Sequence, residues 1–229
     1  MSQNQYRIEN AGSAAPELYL YGPIGADWLG EGIRADQTVK DLNALGKKKE
    51  IHVRIDSPGG NVWEGTNIYN ALTRNPARII VHVDALAASI ASIIAMAGSE
   101  IRMADNALMM IHEPQGGTFG TASELRKQAD LIDKARDNLV NIYRSRTQQA
   151  EDKVSDWMRA ETWFSATEAL QAGLVTDITT APALEARWNR ETLARCGFRN
   201  LPAWFTGVRQ KPRLEAYRIK AGQVFRLAV

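Results

Sequence analysis

Ser89, His112 and the paired glycines Gly59 and Gly60 are the residues whose types could do covalent chemistry together. Ser89 stands in DALAASIASIIAMAG among Ala, Ile and Met, so its hydroxyl is not there for solubility. Two readings fit it: a cap or satisfied core hydroxyl in the first turn of a helix from Ala87, or a nucleophile exposed at a strand-to-helix turn. The GxSxG elbow is absent, and Ser92, three residues on, is the competing false candidate. A serine hydroxyl attacks only if a base takes its proton. The chain has three histidines. His52 and His82 lie inside strands between branched apolar residues, which suits a hydrogen-bonded structural role. His112 follows LMMI and precedes Glu-Pro, at a strand end, and is the best base available.

Gly59 and Gly60 close the stretch IDSPGGNVWEG. They form either a tight turn that needs glycine's backbone freedom, or a turn whose N–H groups are open to an anion. No Gly-Lys-Ser/Thr follows and no GxGxxG is present, so nucleotide phosphates are not the ligand. Acyl or carbonyl chemistry remains as the use of such a donor. No CxxC or HExxH exists to hold zinc, and the spacing of the histidines does not demand a shared metal, so no cofactor and no metal are expected.

These residues need elements to position them. Glu17 to Gly25 reads as a strand, Asp36 to Leu45 as a helix, Ile51 to Ile55 as a strand and Val62 to Thr73 as a helix stopped by Asn75-Pro76. Arg78 to Val83 is a third strand, the apolar stretch from Ala87 to Ala97 a helix, and Leu108 to Ile111 a short strand. Strand and helix alternate with connections too long for hairpins, which argues for a parallel sheet flanked by helices. Ligands in such sheets collect beyond the carboxyl ends of the strands, where Gly60, Ser89 and His112 all fall. Thr121 and Glu124 form a capping box for a long helix with Leu125, Ile132 and Leu139 seven apart, a narrow stripe that suits another subunit as well as its own core. Ser165 and Glu168 form a second box, with Gly173 ending that helix.

The 229 residues, 45% hydrophobic and 24% charged, suit one sizeable domain plus an appendage. The net charge of +2 conceals an asymmetry. From Ala181 onward ten Lys or Arg face three Glu, a net +7, whereas the preceding 180 residues carry a net −5. The single cysteine, Cys196, cannot form an internal bridge, so a reducing, cytoplasmic setting is expected. The first fifteen residues lack the apolar core of a signal peptide, and no run reaches the length of a spanning helix.

Four ordered motifs, SPGGNVWEGTNIYNAL, ALAASIASIIAMAG, ALMMIHEPQGG and ETWFSATEALQAGLVTDI, resemble the core of the Clp protease proteolytic subunit family, serine peptidases of the ClpP/crotonase superfamily. The similarity runs from about Leu18 to Ile178. The ETWFSA wording and the extra tail make it look closest to phage and prophage head maturation proteases. The resemblance implies an α/β fold of stacked ββα units, with a mainly parallel sheet flanked by helices and a protruding helical handle. The implied division is a flexible segment over 1–16, a protease domain over 17–180 with its handle at 115–148, and a basic, aromatic-containing extension over 181–229.

By the same resemblance, Ser89 is the nucleophile, His112 the general base and the N–H groups of Gly60 and Ile90 the oxyanion hole. The reacting carbonyl would then be what must approach the glycine turn. Glu161 stands where the family has an aspartate orienting the histidine, with Asp177 or Asp156 as substitutes. Gly59, Asn61 and Val62 on one side, with Pro114, Gln115, Gly116 and Gly117 on the other, would bind substrate. In particular, Gln115 to Gly120 would be a strand pairing an extended polypeptide, together with Gly60 to Val62. The implied partners are polypeptide substrates, capsid or scaffold proteins among them, further copies of the chain in stacked rings, and an AAA+ unfoldase. Neither nucleic acid nor membrane is expected as a partner. For the tail a docking or structural role ranks above a nucleic-acid arm, because its basic residues are dispersed. Three rivals to a head maturation peptidase stay open: a housekeeping-type subunit fed by an ATP-driven unfoldase, a catalytically silent ring-forming scaffold and a crotonase-type acyl-CoA enzyme.

Overall fold

A computed structural model describes residues 6–25, 32–181 and 188–203. Its elements in chain order are β1 (Tyr6–Glu9), β2 (Glu17–Tyr21), α1 (Ala35–Ala44), β3 (Glu50–Ser57), α2 (Val62–Arg74), β4 (Arg78–Ala88), α3 (Ile90–Ala95), β5 (Glu100–Ala104) and β6 (Leu108–Ile111). Then follow α4 (Ala122–Thr147), α5 (Glu151–Arg159), β7 (Thr162–Ser165), α6 (Ala166–Ala172), β8 (Asp177–Thr179) and α7 (Arg190–Arg195). The sheet runs β1-β2-β3-β4-β5-β8, with β6 pairing β4 and then β7. Only the β1–β2 and β6–β7 pairs are antiparallel. The mainly parallel α/β architecture expected from the sequence is therefore present.

β4 is the strand that makes the site possible. Its first half pairs β5 through Ile80 to Val83, and its last three residues pair β6 instead, Leu86 with Leu108 and Ala88 with Met110. The sheet forks there. β6 is covered on both sides, which is why LMMI is a continuous apolar run rather than an alternating one. Met109 and Ile111 join the main core with Val53, Val83 and Ile94, while Leu108 and Met110 join a second cluster with Leu86, Ala88, Leu193 and Phe198.

Several elements differ from the sequence expectation. The segment 1–16 is not uniformly irregular, because Tyr6–Glu9 pairs with β2 and the Tyr6 hydroxyl donates to Asp41 at 2.8 Å. β4 runs through Ala88, so Ser89 lies at the junction before α3 rather than in the first turn of a helix from Ala87. Branched and small residues in VDALAA suit either state, and pairing with β6 decides for the strand. β5 and α5 were not apparent in the sequence. Both capping boxes are formed, and Gly173 ends α6 with φ 79°.

α4 is 26 residues long, about 39 Å at 1.5 Å per residue. Its C-terminal half buries Ala135, Leu139, Val140 and Tyr143, whereas Leu125 and Leu131 are exposed. The stripe read from the sequence is thus split between the chain's own core and a projecting end. Among the described residues, no helix is long and apolar enough to cross a membrane.

Within the region expected to be an appendage, residues from 188–203 pack against the main sheet, with Leu193 and Phe198 buried. Three aromatic residues of the extension, Trp204, Phe205 and Tyr217, fall outside the described residues.

Candidate active site

The register of three strands brings the site together. Ala88 lies opposite Met110, and the Ser89 N–H donates to the Met110 carbonyl at 2.9 Å. One residue beyond Ala88 and two beyond Met110, Ser89 and His112 leave adjacent strands on the same edge. On the other side of β6, Ile111 pairs antiparallel with Thr162, so His112 and Glu161 are the next residues past that ladder.

His112 Nε2 lies 2.7 Å from Ser89 Oγ. That distance is within the range for proton transfer between a nucleophile and its base. Ser89 has φ 54° and ψ −130°, a conformation few L-residues adopt, which turns the chain sharply between β4 and α3. Strain of this kind costs about 1–3 kcal/mol and concentrates at sites that need it. Glu161 also has positive φ, 50°. Ser92, the competing serine, is committed elsewhere: its hydroxyl donates to the Ser89 carbonyl at 2.6 Å and lies 2.7 Å from the Tyr143 hydroxyl.

The two glycines are explained by the chain itself. A Cβ on Gly59, at φ 88°, would lie 2.6 Å from the Ala88 carbonyl oxygen and 2.7 Å from Ser89 Cβ. A Cβ on Gly60, at φ 145°, would lie 2.1 Å from the Ile24 carbonyl oxygen. The turn is wedged between the Ala88–Ser89 backbone and the Ile24 strand bridge, so close approach by the protein itself excludes side chains. The N–H groups of Gly60 and Ile90 have no backbone acceptor among the described residues.

The third group behaves differently from expectation. The Glu161 carboxylate is buried and accepts from the main-chain N–H groups of Arg199 at 2.9 Å and Asn200 at 2.7 Å. The Trp163 indole N–H adds a long contact at 3.4 Å. His112 Nδ1, the atom a triad carboxylate would hold, is buried without a hydrogen-bond partner among the described residues. Burial pushes the His112 imidazole below its usual range, and the negative charge of Glu161 pulls it part of the way back. Glu161 therefore acts on His112 through its field, without a direct bond. The substitutes lie elsewhere: Asp177 is on β8 and bonds the N–H of its neighbour Ile178, and Asp156 pairs with Arg159 on the surface of α5. His52 and His82 pair with each other, Nδ1 to Nε2 at 2.8 Å, as a structural role requires.

Six of the seven substrate-binding candidates, Asn61, Val62, Pro114, Gln115, Gly116 and Gly117, line one groove of about 240 Å³ with Leu131, Ile132 and Ala135 of α4. Gly59 instead packs behind Ser89. Residues 112–120 form no strand, and Val62 begins α2 with Asn61 as its cap, accepting from Trp63 and Glu64 N–H. Neither stretch is an extended strand in the chain alone. A second cavity of about 470 Å³ opens beside His112 and Glu161, bounded by Gln115, Met158, Arg159 and Asn200. No cluster of three potential metal ligands occurs among the described residues.

Comparison with known proteins gives the geometry a context. Residues 31–182 match the Clp protease family. The chain belongs to that family. It is 33% identical over 168 residues to ATP-dependent Clp protease proteolytic subunit 1 of Leifsonia xyli, covering 69% of this chain and 85% of that protein. It is 32% identical over 162 residues to proteolytic subunit 2 of Tropheryma whipplei, covering 67% and 89%. A proteolytic subunit 2 of Synechococcus aligns over 182 residues at 29% identity, 75% of this chain and 92% of that one. Membership of the Clp protease family makes the chain a peptidase of the serine class. The matched region ends before α7, so the segment carrying Phe198, Arg199 and Asn200 lies beyond it. Sequence reasoning missed this segment as part of the site, and the one signal for it was apolar spacing in ETLARCGF within a basic tail.

Proposed function

We propose that the protein is a serine endopeptidase that cuts polypeptides through an acyl-enzyme on Ser89. His112 Nε2 takes the Oγ proton as Oγ bonds to the scissile carbonyl carbon. The carbonyl oxygen, now negative, is received by the N–H groups of Gly60 and Ile90. His112 returns the proton to the leaving amine as the C–N bond breaks. Water then repeats the sequence, with the imidazole taking its proton and Ser89 recovering it. Glu161 favours the transient imidazolium by its charge. The groove between residues 60–62 and 114–117 receives the substrate main chain, with Gln115 to Gly120 ordering as a strand when it pairs. The projecting half of α4 and the exposed Leu125 and Leu131 suit assembly of copies into rings.

The observation that carries this reading is the 2.7 Å contact between His112 and Ser89 at a strained strand-to-helix junction. Two settings use the same chemistry. Maturation of phage heads is favoured by the ETWFSA wording and the extension. Degradation alongside an ATP-driven unfoldase is favoured by the ATP dependence in the names of the relatives, and fits them as well. In the deciding experiment the purified protein reacts with a fluorophosphonate, Ser89 Oγ displacing fluoride from phosphorus. Labelling located at Ser89 and lost in Ser89→Ala is expected. A folded, assembled protein that takes no label is a silent scaffold, and one that binds an acyl-CoA without labelling is a crotonase-type enzyme.

A further inference from the structure

The last described segment of the chain touches both halves of the site. The Trp188 indole N–H donates to the Asp56 carboxylate at 2.6 Å, and Asp56 is buried at the end of β3, three residues before Gly59. The Phe198 ring meets the His112 imidazole edge-on with centroids 5.7 Å apart, and meets Trp163 in the same manner at 5.5 Å. The next two N–H groups, of Arg199 and Asn200, hold the Glu161 carboxylate, and the Asn200 side chain donates to the Ala160 carbonyl at 2.7 Å. Leu193 is fully buried against the outer face of β4 and β6, so the segment is anchored by packing as well.

We infer that residues 188–200 are a working part of the catalytic centre: a clamp in which Phe198 is the positioning residue for His112 and two main-chain N–H groups fix the Glu161 carboxylate beside it. The inference rests on the serine-peptidase reading and deepens it. The imidazole could rotate about two side-chain bonds, and its Nδ1 has no partner to stop it. Packing against Phe198 supplies the restraint that a bonded carboxylate would give. Glu161 could likewise swing to solvent through three torsions, and the paired N–H groups hold it at a point where its charge still reaches the ring. Trp188 ties this assembly to the strand that carries the oxyanion turn, so base and oxyanion donors share one brace. The charged groups lining the cavity with His112 are Glu113, Arg159, Glu161 and Arg199, and none of them is substituted in the test.

The test measures the second-order rate of fluorophosphonate labelling at Ser89 against pH, in the full chain carrying Phe198→Ala, Phe198→Leu, Asn200→Ala or Asn200→Pro. Phe198→Ala is expected to slow labelling about tenfold, a part of the roughly 10²–10⁴-fold that a well-placed general base supplies. It should also move the acid limb upward, because water reaches the imidazole. Phe198→Leu restores part of the rate by restoring apolar cover. Asn200→Pro, which removes the N–H, is expected to be slower than Asn200→Ala, which keeps it; this pair decides if Phe198→Ala does not fold. Phe198→Ala or, in its place, Asn200→Pro with an unchanged rate and limb overturns the clamp. A faster rate overturns it too, since the segment would then be a brake. Absence of label in the unsubstituted protein sinks the peptidase reading itself, whereas a labelled parent with indifferent variants sinks only this inference.

Discussion

The two sides of His112 are built by different means. Toward Ser89, the geometry is backbone geometry: Ala88 opposite Met110, the Ser89 N–H on the Met110 carbonyl and a glycine packed behind the turn. Toward Glu161, the ladder brings the residues into register but the carboxylate is claimed by N–H groups from almost 40 positions further along. The first arrangement is fixed by a central strand buried on both faces. The second depends on the docking of a short peripheral segment. Ser89 and His112, the proposed nucleophile and base, are therefore expected to tolerate little change in main-chain shape, and the carboxylate side to respond by degrees.

The sharpest way to break the contrast is Gly59→Ala. Its methyl group would collide with the Ala88 carbonyl and Ser89 Cβ at a φ of 88° that alanine resists, so the turn or the nucleophile must shift. A displacement of about 1 Å at such a site costs about a hundredfold in rate, and fluorophosphonate labelling reads it directly. Survival of most of the rate would mean that the Ser89 side is as compliant as the other.

Glu161→Gln is expected to cost less, about tenfold, because it removes a field and not a proton carrier. Its pH signature has a definite sign. His112 must be neutral to accept a proton, burial already holds its imidazole below the usual range, and Glu161 raises it. Removing the charge lets the imidazole fall further, so the acid limb of the labelling rate moves to lower pH. Phe198→Ala moves it the opposite way. An upward shift in Glu161→Gln contradicts the electrostatic role. The smallest effect is expected from Asp177→Asn, which should leave both rate and limb where they are, because among the described residues that carboxylate bonds its neighbour's N–H and not His112. A clear loss there would return Asp177 to the list of candidates for orienting the histidine.

Much of the Ser89 side was legible in the sequence, for a physical reason. A serine among apolar neighbours, a histidine after an apolar strand and two successive glycines are each local anomalies, and the order of strands and helices sends all three to one edge. The boundary at Ser89 was not legible, since DALAAS is equally compatible with strand and helix until β6 pairs with it. The Glu161 side was legible only as a residue type. Which groups occupy its two oxygens depends on contacts from Arg199 and Asn200, made by main-chain N–H groups that every residue but proline carries, and a sequence gives no sign of those. The stripe on α4 illustrates the same limit: heptad spacing identified the face, but its division into a buried half and a projecting half follows from where the body of the protein ends.

The position of the sole cysteine has a practical consequence. Cys196 caps α7 two residues before Phe198, at the surface, and partial burial there holds its thiol above the ordinary range. With one cysteine in the sequence, thiol alkylation at neutral pH reads this segment and no other, and its rate is expected to rise if the segment leaves its seat and the burial is lost. The molecule carries its own gauge of readiness.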